Sequence, residues 1–136
     1  GQRIFDGQVA QSDSPGAAIL AEMGKKNDPA YDATSPYSME SYDAAALIML
    51  AMEASGSTDS NVYKEKIMEI ANGPADGSGV KILPGELGKA LDLIAAGTAI
   101  DYDGASGVTL IGPGESAGRY KQFEVKGGKY ETVQFR

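Results

Sequence analysis

The segment from residue 35 to residue 55 constrains the fold most, because its apolar residues nearly surround a helical axis. Its only charged residues are Glu40, Asp43 and Glu53, which mark a narrow polar side. A helix that is apolar on most of its circumference is expected to pack between layers of secondary structure. Ser35 and Pro36 predict where it begins, since a serine oxygen can cap the first turn and proline suits that turn.

Helical patterns also occur before and after this segment. A short helix is predicted from Pro15, with Asp13 or Ser14 as its cap, to Gly24, and a polar loop then runs to Ser35. Three main helices are predicted over residues 36–55, 60–71 and 84–97. Each of the three has a glycine at its end, which is typical of a helix C-terminus.

From residue 99 onward the pattern becomes that of β-strands. A short strand is predicted over residues 108–111, and two more, over residues 120–125 and 130–135, flank Gly127-Gly128. Adjacent glycines suit a hairpin turn whose two central residues both need positive φ, so the chain is predicted to end in a β-hairpin. Residues 4–10 form a further short strand, and the whole pattern predicts an α/β or α+β domain.

The composition removes several classes of function. The 136 residues include no cysteine and no histidine, and the net charge is -7. The usual zinc ligands, thiol chemistry and the commonest general base near neutral pH are therefore absent, so we expect no metal, no cofactor and no enzyme activity. The negative charge disfavours nucleic acid as a partner, and the longest apolar run, residues 44–52, is far shorter than a membrane span of roughly 20 residues.

Three short motifs suggest chemistry, but turn-forming residues explain each more simply. Residues 114–118 match G-x-S-x-G around Ser116, yet that nucleophile needs a histidine and a strand-to-helix turn. Residues 101–104 look like the opening of a calcium loop, but Gly112 occupies the position of its essential glutamate. Gly24 and Lys25 lack the rest of a P-loop. A small hydrolase acting through Ser116 is the weakest alternative function.

Three stretches of the sequence are informative when they are taken together. The first is Ser35-Pro36-Tyr37 with residues 41–46 (SYDAAA). The second joins residues 93–97 (LIAAG) to residues 100–107 (IDYDGASG), and the third is the terminal hairpin. Together they resemble the C-terminal portion of type I periplasmic binding proteins, in the branched-chain amino acid (Leu/Ile/Val) ABC-transporter substrate-binding family. Their order and spacing match the family from about residue 30 to the end, and the DYDGASG stretch is the most specific part.

The resemblance implies part of a fold in which two α/β lobes, joined by three crossover strands, close over an amino acid or related small carboxylate. It divides the chain into the end of one lobe with a connecting loop (1–35), a helical part (36–97), and strands with a hairpin (98–136). It implies a periplasmic solute-binding component of an ABC importer, with a membrane permease as partner. The same fold also serves ligand-sensing receptors and regulators, so that function stays open.

The resemblance carries over one ligand contact, Tyr37, whose aromatic counterpart lies against the ligand; Ser35 and Ser38 are its neighbours. A tyrosine beside a helix cap can instead pack as a hydrophobic staple, and both interpretations are open. Tyr42 lies on the apolar stripe and is predicted to belong to the core. The family's other ligand contacts would precede Gly1, so we expect the chain alone to bind weakly or not at all, and to be prone to self-association through unpaired strand edges.

Overall fold

A computed structural model describes residues 6–10 and 12–136, and for residues 6–10 the backbone alone. Ile4, Phe5 and Gln11, which belong to the predicted first strand and the loop after it, lie outside the described residues. The helices are α1 (Pro15–Asn27), α2 (Ser38–Ser55), α3 (Ser60–Asn72) and α4 (Leu87–Ala95). The strands are β1 (Asp6–Ala10), β2 (Val80–Ile82), β3 (Ile100–Tyr102), β4 (Leu110–Gly112), β5 (Glu115–Ser116), β6 (Tyr120–Lys126) and β7 (Lys129–Phe135).

The main core lies where α2, α3 and α4 pack against a parallel pair of strands. β2 and β3 pair with Val80 beside Ile100, and α4 connects them, since parallel strands need a crossover. The mixed α/β class is thereby confirmed, while the two-lobed arrangement stays a prediction. The buried core residues are Ala46, Leu47, Leu50, Ala51, Ile70, Ala71, Ile82, Ala90, Ile100 and Tyr102.

A smaller core joins α1 to the start of α2. It consists of Ala17, Leu20, Met39 and Ala105, with Tyr42 partly buried against it. Gly16 permits this approach, because a Cβ atom at that position would overlap the backbone carbonyl group of Gly104. The absence of a side chain at residue 16 therefore sets how closely α1 approaches the loop after β3.

The C-terminal strands form an antiparallel sheet in the order β1–β6–β7. Lys126 pairs with Lys129 at the end of the hairpin, and Gly127 and Gly128 have φ angles of 56° and 77°. The predicted hairpin is thus confirmed, together with the positive φ angles that its turn needs. A second antiparallel pair, β4 with β5, is attached to α3, because the side chain of Asn72 both donates to and accepts from the Leu110 backbone at 2.8 Å.

The start predicted for α2 at Ser35 and Pro36 is wrong, because those residues form a turn before the helix. The Ser35 N–H donates to the Asp32 carbonyl and the Ser38 N–H donates to the Ser35 carbonyl, each at 3.2 Å. α2 begins at Ser38, with Tyr37 as the residue before its first turn. The hydrogen bonds of this turn make the helix begin later than predicted, and the spacing of apolar residues in the sequence does not reveal them.

Two other helix boundaries differ from the sequence prediction, and one strand is missing from it. α1 passes Gly24, which packs closely against the Tyr31 ring, and ends at Asn27. α4 begins at Leu87 and not at Pro84, because a turn precedes it in which the Glu86 carboxylate accepts from the Leu83 N–H at 2.9 Å. The prediction of three main helices also omits β2, since three residues are too few to show a strand pattern.

The prediction that α2 packs between two layers is wrong within the described chain, because only one side of the helix is covered. Met49 is 49% exposed and Ile48 is 38% exposed, and Ala44 and Ala45 beside them are exposed as well. We call these four residues the outer side of α2. No helix among residues 12–136 is long and apolar enough to cross a membrane.

Substituting Gly16→Ala should destabilise the protein, because its methyl group would overlap backbone atoms that cannot rotate away. We expect the free energy of unfolding to fall by about 1–3 kcal/mol, the range for overpacking. Gly88→Ala is the matched control, since its Cβ atom meets nothing within 4 Å, and it should be neutral or stabilising. Urea unfolding measures both; equal stability of the two variants would contradict the close α1 contact.

Candidate functional site

A buried carboxylate lies where α2 meets the loop after β3. Asp43 is 2% exposed; its Oδ1 accepts from the Tyr102 hydroxyl at 2.9 Å and from the Ala105 N–H at 2.7 Å. Its Oδ2 accepts from the N–H and the hydroxyl of Ser106, at 2.7 and 2.6 Å. These donors replace the water that a buried charge loses. Asp43, Tyr102, Ala105 and Ser106 are called the Asp43 network below.

The backbone conformation of the loop brings its amides to Asp43. Gly104 has a φ angle of 61°, and a Cβ atom there would overlap the Asp43 carboxylate. On the other side of the loop, the Ser14 hydroxyl donates to the Ala105 carbonyl at 2.5 Å. The Ser14 N–H in turn donates to Ser12 Oγ at 3.0 Å. The loop therefore connects α2 to the segment that precedes α1.

The electrostatics of the network keep Tyr102 protonated. Burial raises the pKa of Tyr102 far above its ordinary value, and the nearby Asp43 charge and their hydrogen bond raise it further. A neutral hydroxyl can donate to the carboxylate, whereas a phenolate would repel it. The hydrogen bonds of the network thus fix the Asp43 carboxylate and the loop after β3 relative to each other.

Tyr37 is exposed and immediately precedes α2, the helix that carries Asp43. Its φ angle of 63° is the only positive φ of a non-glycine residue in the described chain, and its ring is 63% exposed. That exposure does not fit a hydrophobic staple. Non-glycine residues in this backbone region cost about 1–3 kcal/mol and are found at ligand clamps and active sites.

The turn of residues 31–37 holds Tyr37 through bonds on both sides. Asp32 Oδ1 accepts from the Thr34 hydroxyl at 2.6 Å and its N–H at 2.9 Å, and these bonds lower the pKa of Asp32. The Tyr31 hydroxyl lies 2.7 Å from Ser38 Oγ. Ser38, one of the predicted site residues, is thus half-buried and bonded to Tyr31, whereas Ser35 is exposed beside Tyr37.

The other sequence motifs lie in ordinary turns and strands. Ser116 is exposed in β5, next to β4, and the next described element is strand β6 and not a helix. Asp103 forms an ion pair with Lys81 at 3.3 Å, at the end of β3. Gly24 and Lys25 lie inside α1. Among residues 12–136, no group of acidic side chains is arranged to hold a metal ion.

Two surface cavities lie away from Tyr37. One of about 340 Å³ lies between α3, the end of α4 and β3, and the ion pair of Lys66 with Glu69 borders it. The other, of about 510 Å³, lies between α3 and the β4–β5 turn, beside Met68 and Pro113. Neither includes any of the residues predicted to contact a ligand.

The sequence interpretation missed Asp43, which it placed on the polar side of α2. The structure buries Asp43 completely among donors from a loop 59 or more residues away. A signal was present, since one charge on a mostly apolar helix needs a partner, and the DYDGASG stretch supplies a tyrosine, a serine and backbone amides. Tyr42 is half-buried as expected, and its hydroxyl accepts from the Gly85 N–H at 3.2 Å.

Part of the chain is similar to a known substrate-binding protein. Over 78 residues the chain is 38% identical to the chemotactic signal transduction system substrate-binding protein BasB of Halobacterium salinarum. The matched part is 56% of this chain and 18% of that protein, so the chain spans about a fifth of the relative's length. No family model and no solved structure matches the chain. The similarity supports the resemblance to substrate-binding proteins and does not extend to a branched-chain amino acid.

Substituting Asp43→Asn should loosen the loop of residues 103–107. An amide has one acceptor oxygen, so at least one backbone N–H of the loop would face an NH₂ group, at a cost of about 2–3 kcal/mol. Asp103→Asn, on the same loop but partly exposed, should change stability by less than about 1 kcal/mol. Thermal unfolding and amide hydrogen exchange measure both, and a stable Asp43→Asn variant with a protected loop would contradict the network.

The raised pKa of Tyr102 predicts a loss of stability in alkali. Because the folded pKa lies above the unfolded value of about 10, the stabilisation is complete below about pH 10 and is lost as the pH rises toward the folded pKa. Tyr102→Phe should be less stable near neutral pH by about 1 kcal/mol. Its stability should decline less steeply above pH 10. Parallel urea titrations test this, and identical alkaline slopes would refute it.

Proposed function

We propose that the chain is part of an extracytoplasmic solute-binding component of an ABC importer, which binds a branched-chain amino acid or a related small carboxylate. The observation that carries the proposal is the exposed ring of Tyr37 on a left-handed backbone. Backbone strain at a residue with an exposed aromatic ring is better explained by a role in ligand binding than by a role in folding. The similarity to a substrate-binding protein supports the same class of function.

An aromatic ring in this place suits the aliphatic side chain of an amino acid. A tyrosine ring provides a large apolar surface with little conformational freedom to lose, and its hydroxyl can bond a polar group. The hydrogen bonds of residues 31–38 hold the backbone on which that ring is carried before any ligand arrives. Ser35 carries an exposed hydroxyl next to Tyr37 and can add a polar contact, whereas the Ser38 hydroxyl is engaged with Tyr31.

Closure of two lobes is the mechanism that we propose for this site. A ligand that touches both lobes favours the closed state through contacts that the open state lacks. The chain supplies one side of such a cleft, with Tyr37 on it, and the outer side of α2 offers an apolar surface for another part of the protein. Binding by this chain alone is therefore expected to be weak.

A second function, in ligand sensing, is favoured by one specific observation. The relative's name places that protein in a chemotactic signal transduction system. A solute-binding protein can pass its closed state to a receptor as well as to a permease, with the same site and the same closure. In the source organism, deletion should abolish uptake of the solute if the importer function is right, or the swimming response with uptake intact if the sensor function is right.

Binding at Tyr37 can be tested on the 136-residue chain itself. We expect millimolar leucine, isoleucine or valine to shift the backbone amide NMR signals of residue 35 and residues 37–41. Tyr37→Ala should remove those shifts because the apolar contact surface is lost, and Tyr37→Phe should keep them. Tyr130→Ala, which truncates another highly exposed tyrosine far along the sequence, is the matched control. Shifts that persist in Tyr37→Ala would place the ligand elsewhere.

A further inference from the structure

The last strand of the chain is an open edge. In the sheet β1–β6–β7, β7 has a neighbour on one side within the described chain, and all seven of its residues are exposed. Tyr120 and Arg136 exchange two backbone hydrogen bonds of 2.8 Å, so the N–H of the adjacent Phe135 points away from β6. Counted from the hairpin turn, the N–H groups of Tyr130 and Thr132 also point outward, and a bulge at Val133, which has no partner on β6, separates them from Phe135.

The hairpin also differs in charge from the rest of the chain. Residues 119–136 contain five basic and two acidic residues, whereas residues 1–118 contain seven basic and seventeen acidic residues. The strand ends carry much of the positive charge, since Lys129 begins β7 and Arg136 follows its end. Exposed side chains that add apolar area are Tyr130 at 76%, Val133 at 52% and Phe135 at 39%.

A second copy of β7 is a poor partner for this edge. In an antiparallel pair of two β7 strands, the end of each copy that carries Lys129 would lie beside the end of the other that carries Arg136. Like charges at both ends of the pair oppose it, which is how many proteins protect an open edge from self-pairing. An extended acidic segment has the opposite charges and can use the same outward N–H groups and the same apolar side chains.

We infer that β7 is a docking site for an acidic, extended segment of a partner protein, which adds to the sheet as a further antiparallel strand. Backbone hydrogen bonds to β7 supply the register. Lys129 and Arg136 attract the acidic side chains of the segment, and the exposed Tyr130 and Phe135, which lie on the other face of the strand, contact its apolar side chains. This inference does not depend on Tyr37 or on any solute, because the docking site and the proposed ligand site share no residue.

The probe for this inference is a seven-residue peptide of alternating glutamate and valine with blocked ends, titrated into the ¹⁵N-labelled chain. We expect amide shifts confined to β7 and β6, and affinity that falls at least about tenfold when salt rises from about 50 to 500 mM, because salt screens exposed charges. The same peptide with lysine in place of glutamate should not bind. Equal binding of the two peptides would overturn the role of charge.

Two pairs of variants test the geometry. Thr132→Pro removes an outward N–H without a ladder bond to β6 and should weaken binding about tenfold or more, whereas Thr132→Val keeps the N–H and the affinity. Lys129→Glu should weaken binding about fivefold, and Lys64→Glu on exposed α3 should not. If circular dichroism shows that Thr132→Pro disrupts the hairpin, Lys129→Glu decides alone.

The remaining outcomes identify other occupants and would each overturn the inference. Binding of anionic lipid vesicles or of inorganic polyphosphate to β7, without binding of the glutamate peptide, would indicate a general anion surface. Dimerisation of the chain in sedimentation, abolished by Thr132→Pro, would indicate pairing between two copies of β7. Peptide-induced shifts elsewhere than in β6 and β7 would place the acidic segment on another surface.

Discussion

The buried charge of Asp43 is the interaction on which the arrangement of the other elements depends. A carboxylate removed from water is costly unless donors surround it, and here the donors come from β3 and from the loop after it. Asp43 can lie on the buried side of α2 only if that loop is folded against the helix. One residue thus makes the position of the longest helix and the conformation of a distant loop depend on each other.

The same loop also fixes the position of α1. Its Ala105 carbonyl accepts from Ser14, just before α1, and Gly16 lets the first turn of α1 lie against Gly104. Three segments far apart in sequence therefore meet around residues 104–106, with short or absent side chains at the closest contacts. The Asp43 network and these close backbone contacts explain why glycine, alanine and serine dominate the stretch from 104 to 107.

Local signals were enough to predict some elements and not others. Two adjacent glycines favour one type of hairpin turn without help from distant residues, so the hairpin was predictable within one residue at each end. β2 was not, because three residues become a strand only beside β3. The start of α2 was misplaced because the bonds of the turn at 31–37, including Tyr31 with Ser38, compete with a helix that the local sequence favours. Asp43 was assigned to the polar side of α2 for a different reason, since its hydrogen-bond partners lie 59 or more residues away in the sequence.

The candidate site combines a buried anchor with an exposed contact. Tyr37 immediately precedes α2, and Asp43 lies in the second turn of that helix. Four hydrogen bonds to Asp43 fix α2 to β3 and the loop after it, so the helix that follows Tyr37 cannot easily shift. A left-handed tyrosine persists when its surroundings leave it no alternative. The Tyr31–Ser38 bond before the helix and the Asp43 network within it supply that constraint. The backbone of Tyr37 is therefore held in place without a ligand, which lowers the conformational entropy that the protein would lose on binding one.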